Sequence, residues 1–305
     1  MSEREPGGAD YDIKQCGRCA ANLPRSATMC AYCGTTSPDT RIDPRPAHSP
    51  LGLPRNVTVT RLLIAVNCLY FLFSVWVQFR AVPGTNVARL MITGSGFDAG
   101  LGLSGMYMHE RIFIGHEWWR VITCTFLHGG LLHIGFNMYA LNQLGHIAEE
   151  IFGGAKLLAI YLICGVCSSL AVSVYNVGML HADPYHVPPL VGASGAIFGV
   201  GGLLAVFLLK RGSAQGKRIG WALTQNLAAM LLIGFMIPVI SNTAHVGGMI
   251  PGALFGLVVR EQFSTFVSPT ARRNWWLAAT VTTVATLVAL ALAVHFTLTI
   301  LGGSR

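Results

Sequence analysis

The 305-residue sequence is poor in charge. Only 11% of its residues are charged, while 52% are hydrophobic; soluble proteins carry about 25% charged residues. A surface with so few charges cannot face water over its whole area, so a soluble globular protein is excluded. We therefore expect an all-α polytopic membrane protein.

Residues 1–55 lack the long apolar run of a secretory signal peptide. They carry seven Lys or Arg and six Asp or Glu, and the net charge of +8 comes almost entirely from the rest of the chain. This predicts a polar extension that stays on the cytoplasmic side. Because the later basic residues lie in short loops between apolar segments, they indicate membrane topology and no nucleic-acid partner.

Two C-x-x-C pairs lie in this extension, Cys16 with Cys19 and Cys30 with Cys33. Four thiolates at this spacing suit one tetrahedral Zn²⁺, and the segment resembles a small zinc ribbon, in which the metal is structural. Two disulfides or a redox pair are the alternatives, which a reducing cytosol disfavours. We expect a zinc-ribbon-like module over residues 1–36. It would dock a cytoplasmic partner, since four Cys ligands leave no open metal position for catalysis.

A proline-rich linker is predicted over residues 37–57. Five prolines lie between Ser37 and Pro54, with almost no apolar residues among them. Such a segment is extended and semi-rigid. It would tether the module to the membrane part of the chain without packing against it.

Seven apolar stretches are long enough to cross a bilayer, which takes about 20 residues. The fourth and the sixth are short and rich in glycine, so we expect them to be interior helices packed by their neighbours. The seven stretches are 61–79, 120–143, 156–177, 194–209, 219–240, 243–260 and 275–301.

Lysine and arginine residues between the spans predict the orientation. They cluster before the first span, between the fourth and fifth, and between the sixth and seventh, and with seven crossings these places share one side. That side is therefore cytoplasmic, with the N-terminus, while the first loop (80–119) and the loop 178–193 face outward. The basic residues are Arg55, Arg61, Lys210, Arg211, Lys217, Arg218, Arg260, Arg272 and Arg273.

Carboxylates are scarce in the second half of the chain. Beyond residue 119 they are Glu149, Glu150, Asp183 and Glu261, near span ends or in loops. No acid is therefore placed to complete a Ser-His-Asp triad. The G-x-S-x-G motif of α/β-hydrolases is also absent around Ser194, because Ala196 occupies its last position.

Ser194 and His245 form a candidate catalytic dyad. Ser194 opens the fourth span, where Gly195 and Gly199 make a strip of small residues, and His245 lies at the start of the sixth. The sixth span carries a matching stripe at every fourth position, made of Ala244, Gly248, Gly252 and Gly256. If the two strips pack against each other, Ser194 Oγ can approach a His245 ring nitrogen. A nucleophile and its base require a distance of about 2.6 to 3.2 Å between these atoms.

Each dyad residue also has a structural interpretation. Ser194 could be an ordinary helix N-cap, and His245 could make an interhelical hydrogen bond. If the dyad is catalytic, packing or aromatic stacking has to hold His245 in the productive tautomer, since no carboxylate is available to orient it.

His133 and Asn137 are candidate oxyanion donors. They are four residues apart, so they share one face of the second span, and the Ser194 backbone N–H could supply a third donor. Interhelical hydrogen bonding is the alternative. A metal site at His128 and His133 is disfavoured because the H-E-x-x-H motif is absent, and no cofactor is expected for catalysis.

Five motifs together resemble the rhomboid family of intramembrane serine proteases, over about residues 58–262. They are Glu117-Trp118-Trp119-Arg120, the H-x₄-H-x₃-N of His128 to Asn137, the G-x₃-E-x₃-G of Gly145 to Gly153, the G-x-S-G of Gly192 to Gly195, and His245-x-x-Gly248. The resemblance implies a six-helix core over 58–262 that opens outward into a water-filled cavity. Residues 263–305 would add a loop and a seventh transmembrane helix.

The same resemblance implies roles for individual residues. Ser194 would be the nucleophile, His245 the general base, and His133 with Asn137 the oxyanion site. Arg120 would anchor the first loop, and Glu149 the cytoplasmic end of the second span. The implied activity is hydrolysis of peptide bonds in or near transmembrane helices of substrate proteins within the lipid bilayer. A catalytically silent rhomboid-like protein that binds transmembrane helices is the alternative.

Overall fold

The computed structural model describes residues 13–16, 22–24, 26–30, 34–36, 58–86, 88, 90, 98–261 and 269–303. Two short strands, β1 (Ile13–Gln15) and β2 (Asn22–Pro24), form an antiparallel pair. The helices are α1 (Val59–Ala81), α2 (Asp98–Leu103), α3 (His109–Phe113), α4 (Arg120–Thr123), α5 (Leu131–Phe152), α6 (Gly154–Ser173), α7 (Ser194–Arg211), α8 (Ala214–Met236), α9 (Asn242–Val258) and α10 (Pro269–Gly303).

Five of the described helices are long and apolar enough to cross a membrane. They are α1, α6 with its π-helical continuation Val174–Met179, α7, α8 and the Arg273–Gly303 part of α10. A sixth crossing is formed if the bent pair Arg120–Phe126 and Leu131–Phe152 counts as one span. The protein is therefore a polytopic helical membrane protein, as its composition predicts.

The predicted second span, 120–143, is wrong as a continuous helix. The chain bends by 90° between Phe126 and Leu131, and the long helix α5 begins only at Leu131 and continues to Phe152. The break is made by Leu127 in extended conformation and by Gly130 at φ +154°, a region that side chains rarely allow. His128 consequently lies in the turn before α5 and outside any helix.

The predicted sixth span, 243–260, forms the 17-residue helix α9. It is shorter than the five long helices, and it packs most extensively against α7, with α6 as its second neighbour. Its start is capped by Ser241, whose hydroxyl accepts the Ala244 N–H at 3.3 Å. An N-cap of this kind satisfies one of the amides left open at a helix start.

Glycine allows the close contact between α7 and α9. A Cβ added at Gly248 would overlap the Gly195 carbonyl, and one at Gly252 would overlap the Gly199 carbonyl. The two glycine strips therefore pack face to face, as the sequence predicts, and the backbones approach more closely than larger residues allow. This contact fixes the register between the two helices.

Helices α8 and α10 lie at the periphery of this core. The predicted fifth span, 219–240, is α8, which packs mainly against α7 and leaves most of its surface exposed. The predicted seventh span, 275–301, is contained in α10, which packs mainly against α6. Both helices are thus present where the apolar stretches predict them.

The described part of the N-terminal module brings together one cysteine from each C-x-x-C pair. Cys16 and Cys30 are both buried, in a small cluster with Leu23. Cys19 and Cys33 lie outside the described residues. Two buried sulfurs from separate pairs suit a shared Zn²⁺, which remains a prediction, as do the boundaries 1–36 and 37–57.

Candidate active site

Ser194 and His245 are hydrogen-bonded to each other. His245 Nε2 lies 2.9 Å from Ser194 Oγ, although 51 residues separate them in sequence. Ser194 is the first residue of α7, after the N-cap Ala193, and His245 lies in the first turn of α9. The starts of two packed helices thus bring a hydroxyl and an imidazole into contact.

Small residues around Ser194 allow this approach. A Cβ at Gly195 would overlap the Ser168 hydroxyl of α6 and lie 3.3 Å from the Ala244 carbonyl of α9. Any larger residue at position 195 would therefore push α7 away from both neighbours. The glycine places Ser194 within hydrogen-bonding distance of His245.

The ring of His245 is stacked on Phe198. The two ring centroids are 4.2 Å apart and the planes differ by 9°. His245 is 6% exposed, and its Nδ1 has no hydrogen-bond partner among the residues that the structure describes. Aromatic stacking thus orients the imidazole in a site where the sequence offers no carboxylate.

Sequence reasoning did not name Phe198, although a signal for it exists. Phe198 follows Ser194 by four residues, so both side chains lie on the same face of α7. An aromatic residue one turn from a candidate nucleophile is therefore a candidate partner for its base.

His133 makes a hydrogen bond that defines its protonation. Its Nδ1 accepts the Gly129 N–H at 3.3 Å. A neutral imidazole that accepts at Nδ1 carries its proton on Nε2. The Nε2–H is the donor on the side of the ring that faces Gly192, because a Cβ at Gly192 would lie 2.7 Å from His133 Nε2.

Asn137 lies beside His133 on α5 and faces the same glycine. Its Nδ2 would be 3.6 Å from a Cβ at Gly192. This amide nitrogen is buried and has no hydrogen-bond partner in the described part of the chain. Both side-chain donors are therefore available next to the segment that leads into Ser194.

Gly192 gives this segment its shape. Its φ of +126° is a conformation that favours glycine, and its N–H donates to the Cys124 carbonyl at 2.9 Å. The backbone thereby runs close to His133 and Asn137 two residues before Ser194. The sequence gives Gly192 as part of the G-x-S-G motif, but its contact with His133 appears only in the structure.

Arg120 ties the first loop to α4. The guanidinium is buried, and its Nε donates to Glu117 Oε2 at 2.6 Å. One terminal nitrogen also donates to the carbonyls of Gly102 and Met106, at 2.8 and 2.9 Å. A single cation therefore fixes three points of the first loop.

Glu149 joins the end of α5 to the start of α1. Its carboxylate accepts the backbone N–H groups of Val59 and Thr60 at 2.8 and 3.0 Å, and the Thr60 hydroxyl at 2.8 Å. A carboxylate at a helix N-terminus satisfies open amides and complements the helix dipole.

The first loop is paired with the loop before Ser194. Tyr107 and Leu190 exchange two backbone hydrogen bonds, each 3.1 Å long. The Tyr107 hydroxyl and His109 Nδ1 both hydrogen-bond to the Ser173 hydroxyl, the latter at 2.6 Å. Burial raises the pKa of Tyr107 to about 12 and lowers the pKa of His109, so both groups are neutral near pH 7.

Residues 115–262 match the Rhomboid domain family. This stretch contains the hydrogen-bonded Ser194 and His245, the two side-chain donors on α5, and Arg120. The stretch is therefore similar to a rhomboid domain.

Curated proteins with rhomboid names are similar to parts of this chain. Rhomboid protease GluP of Bacillus subtilis is 37% identical over 136 residues, which cover 45% of this chain and 25% of the relative. RHOMBOID-like protein 1 of Arabidopsis thaliana is 34% identical over 155 residues, which cover 50% of this chain and 37% of the relative. YdcA of Bacillus subtilis, a proposed rhomboid protease, is 28% identical over 201 residues, which cover 66% of this chain and 91% of the relative. The chain thus spans well under half the length of the first two.

The stretch that matches the Rhomboid domain does not cover the whole chain. The matched residues begin after α3 and end before α10. The N-terminal module, α1 and α10 therefore lie outside the matched stretch, although α1 and α10 both pack against helices within it.

Proposed function

We propose that the protein is a serine-type intramembrane endopeptidase that uses Ser194 as nucleophile and His245 as general base. The observation that carries the proposal is the 2.9 Å contact between Ser194 Oγ and His245 Nε2, because a serine hydroxyl becomes a useful nucleophile only beside a base. No cofactor is needed for this chemistry.

Acylation begins with proton transfer within the dyad. As Ser194 Oγ attacks the carbonyl carbon of the scissile peptide, the hydroxyl proton passes to His245 Nε2. His245 must carry its other proton on Nδ1 to accept at Nε2. The stack on Phe198 holds the plane of the ring, and Nε2 lies next to Ser194 Oγ.

The tetrahedral intermediate places a negative charge on the former carbonyl oxygen. His133 Nε2–H, Asn137 Nδ2 and the Ser194 backbone N–H are the donors proposed to stabilise that charge. The tautomer of His133 fits this role, because its Nδ1 is already used as an acceptor from Gly129.

Two further steps complete the reaction, collapse of this intermediate and hydrolysis of the resulting ester. His245 gives its Nε2 proton to the leaving amine, the C–N bond breaks, and an ester between Ser194 and the substrate remains. A water molecule next loses a proton to His245 and attacks this ester. Its C–O bond to Ser194 breaks, and the proton returns to Ser194 Oγ.

The proposed substrates are transmembrane proteins in the lipid bilayer. An intact transmembrane helix hides its carbonyls in backbone hydrogen bonds, so a cleavable helix should carry helix-weakening or small residues near the scissile bond. The active site would open toward the extracytoplasmic side. The N-terminus would be cytoplasmic, with a structural Zn²⁺ in the N-terminal module and a cytoplasmic protein bound to that module.

A cleavage assay tests the proposed function. The purified protein in detergent is incubated with a model single-span substrate, alongside Ser194→Ala and His245→Ala. We expect cleavage by the wild type and none above background by either variant. Equal cleavage by all three would contradict the dyad. Binding of the substrate without cleavage by the wild type would favour the catalytically silent alternative.

A further inference from the structure

Helix α10, which lies outside the matched rhomboid domain, contacts the first loop with two neighbouring side chains. The hydroxyl of Thr297, which is fully buried, donates to the Leu103 carbonyl at 2.8 Å. The ring of Phe296 lies 5.8 Å from the Trp119 ring, and Arg120 Cζ lies 6.0 Å from the Phe296 ring centroid. Both residues therefore reach the segment that carries the Arg120 anchor.

The bond from Thr297 differs from those of other threonines on α10. Among the described residues, the Thr280 and Thr299 hydroxyls donate to carbonyls four residues earlier on their own helix, as helical threonines commonly do. The single Thr297 hydroxyl proton is shared between the Ala293 carbonyl at 2.7 Å and the Leu103 carbonyl at 2.8 Å, and Leu103 is 194 residues distant in sequence. Its hydroxyl therefore links two separate parts of the fold.

The contact lies next to a bend in the first loop. Gly105 follows α2 with φ +101°, and a Cβ placed on it would lie 3.6 Å from the Ala293 side chain. The Gly105 carbonyl accepts the Thr123 hydroxyl at 2.7 Å. Helices α4 and α10 thus both contact the bend, through Thr123 and Ala293.

Hydrogen bonds continue from this bend to the active site. Arg120 donates to the Met106 carbonyl at 2.9 Å, and the next residue, Tyr107, pairs with Leu190. Gly192, which follows Leu190 by two residues, lies against the proposed oxyanion donor His133. Contacts of this kind can carry a displacement of the loop to the site.

We propose that Phe296 and Thr297 are positioning residues, which hold the first loop so that the Tyr107–Leu190 pairing sets the backbone before Ser194. The expected effect on catalysis rests on the proposed protease function. The expected effect on the position of the first loop is independent of that function.

The first test replaces the hydroxyl of Thr297. Thr297→Val keeps the shape and removes the donor, Thr297→Ser keeps the donor, and Thr299→Val is the matched control on an exposed position of the same helix. Amide hydrogen exchange in detergent is measured at Tyr107 and Leu190. Loss of one hydrogen bond predicts roughly fivefold faster exchange in Thr297→Val alone.

The same variants are compared for kcat and KM with a model single-span substrate. We expect kcat to fall by a similar factor in Thr297→Val with KM unchanged, because the oxyanion geometry acts on the transition state. Thr297→Ser should restore both the exchange rate and kcat. If the wild type cleaves nothing, the protease proposal fails, and hydrogen exchange still decides whether α10 positions the loop.

A second variant tests the proposal independently, in case Thr297→Val does not fold. Phe296→Ala should raise exchange at Tyr107 and Leu190, whereas Leu298→Ala, at an exposed neighbouring position, should not. The proposal would be overturned if both amides exchange at the wild-type rate in Thr297→Val and in Phe296→Ala. A fall in kcat without faster exchange would also overturn it, since α10 would then act by another route.

Discussion

Gly192 is the residue whose replacement tests the proposed oxyanion site most locally. At φ +126°, a Cβ would lie 2.7 Å from His133 Nε2, so Gly192→Ala has to displace either the backbone or a donor. We expect an unfolding free energy lower by about 1–3 kcal/mol and a kcat roughly 10²-fold lower, the usual effect of losing one oxyanion donor. Thermal unfolding and cleavage kinetics measure the two effects.

Gly178→Ala provides the control for this substitution. Gly178 lies in the π-helical turn after α6, and a Cβ there would meet nothing within 4 Å. Its alanine variant should behave as the wild type. Wild-type kcat in Gly192→Ala would mean that His133 is not held against this backbone during catalysis.

At the scale of single residues, the sequence predicts the contact between Ser194 and His245 better than it predicts the residues that support this contact. Ser194 and His245 could be paired from their small-residue surroundings. Phe198 was not predicted, because an aromatic residue in an apolar helix looks like ordinary packing. The tautomer of His133 depends on a backbone amide, from Gly129, that only the folded turn brings to its ring.

The contact between α7 and α9 depends on the absence of side chains at facing positions. A Cβ at Gly252 would overlap the Gly199 carbonyl, so Gly252→Ala should force the helices apart. We expect it to lower the unfolding free energy by about 1–3 kcal/mol, the usual cost of overpacking. Denaturant titration in mild detergent measures this change.

Gly135→Ala is the matched substitution on α5. A Cβ there meets nothing within 4 Å, and alanine is a better helix former than glycine by roughly 0.5–1 kcal/mol. Gly135→Ala should therefore be neutral or stabilising. Equal destabilisation by both alanines would show that the effect at position 252 does not come from the helix contact.

At the scale of elements, apolar length predicted the existence of the helices and failed at one bend. Residues 120–143 are mainly apolar, and their average composition gives no sign of the 90° turn before Leu131. The signal is local, in Gly129 and Gly130. A glycine pair within an apolar run also occurs in continuous helices such as α7, where Gly201 and Gly202 cause no break. The glycine pair by itself therefore does not predict the break.

The N-terminal module predicts a property of the whole molecule, its metal content. Cys16 and Cys30 lie together in one buried cluster, and with Cys19 and Cys33 they would hold one Zn²⁺. Elemental analysis should find about one zinc per chain, lost in Cys16→Ser and in Cys30→Ser and kept in Cys68→Ser on α1. Full zinc content in the first two variants, or disulfides in place of the metal, would contradict the proposed site.

The proposed orientation concerns the whole molecule as well. The basic clusters next to the spans predict a cytoplasmic linker (37–57) and an outward-facing first loop (80–119). Reporter fusions in these two segments should therefore report opposite sides of the membrane, the linker in the cytoplasm. Reports from the same side, or in the reverse order, would contradict the proposed orientation.

At the whole-molecule scale, the sequence predicted a polytopic helical protein with a rhomboid-like core, and residues 115–262 match the Rhomboid domain. The contacts that α10 makes with the first loop could not be predicted. They join Thr297 to Leu103 across 194 residues, and nothing in an apolar helix reveals which of its threonines bonds outside the helix.

The central claim is that His245 activates the Ser194 hydroxyl. Covalent labelling with a fluorophosphonate, followed by mass spectrometry of the intact protein and its peptides, tests it most directly, because the reagent needs an activated serine and no transmembrane substrate. We predict one adduct per chain, at Ser194, formed rapidly by the wild type and lost in His245→Ala. Labelling of Ser194 at the same rate in His245→Ala, or no labelling of Ser194 in the wild type, would contradict the claim.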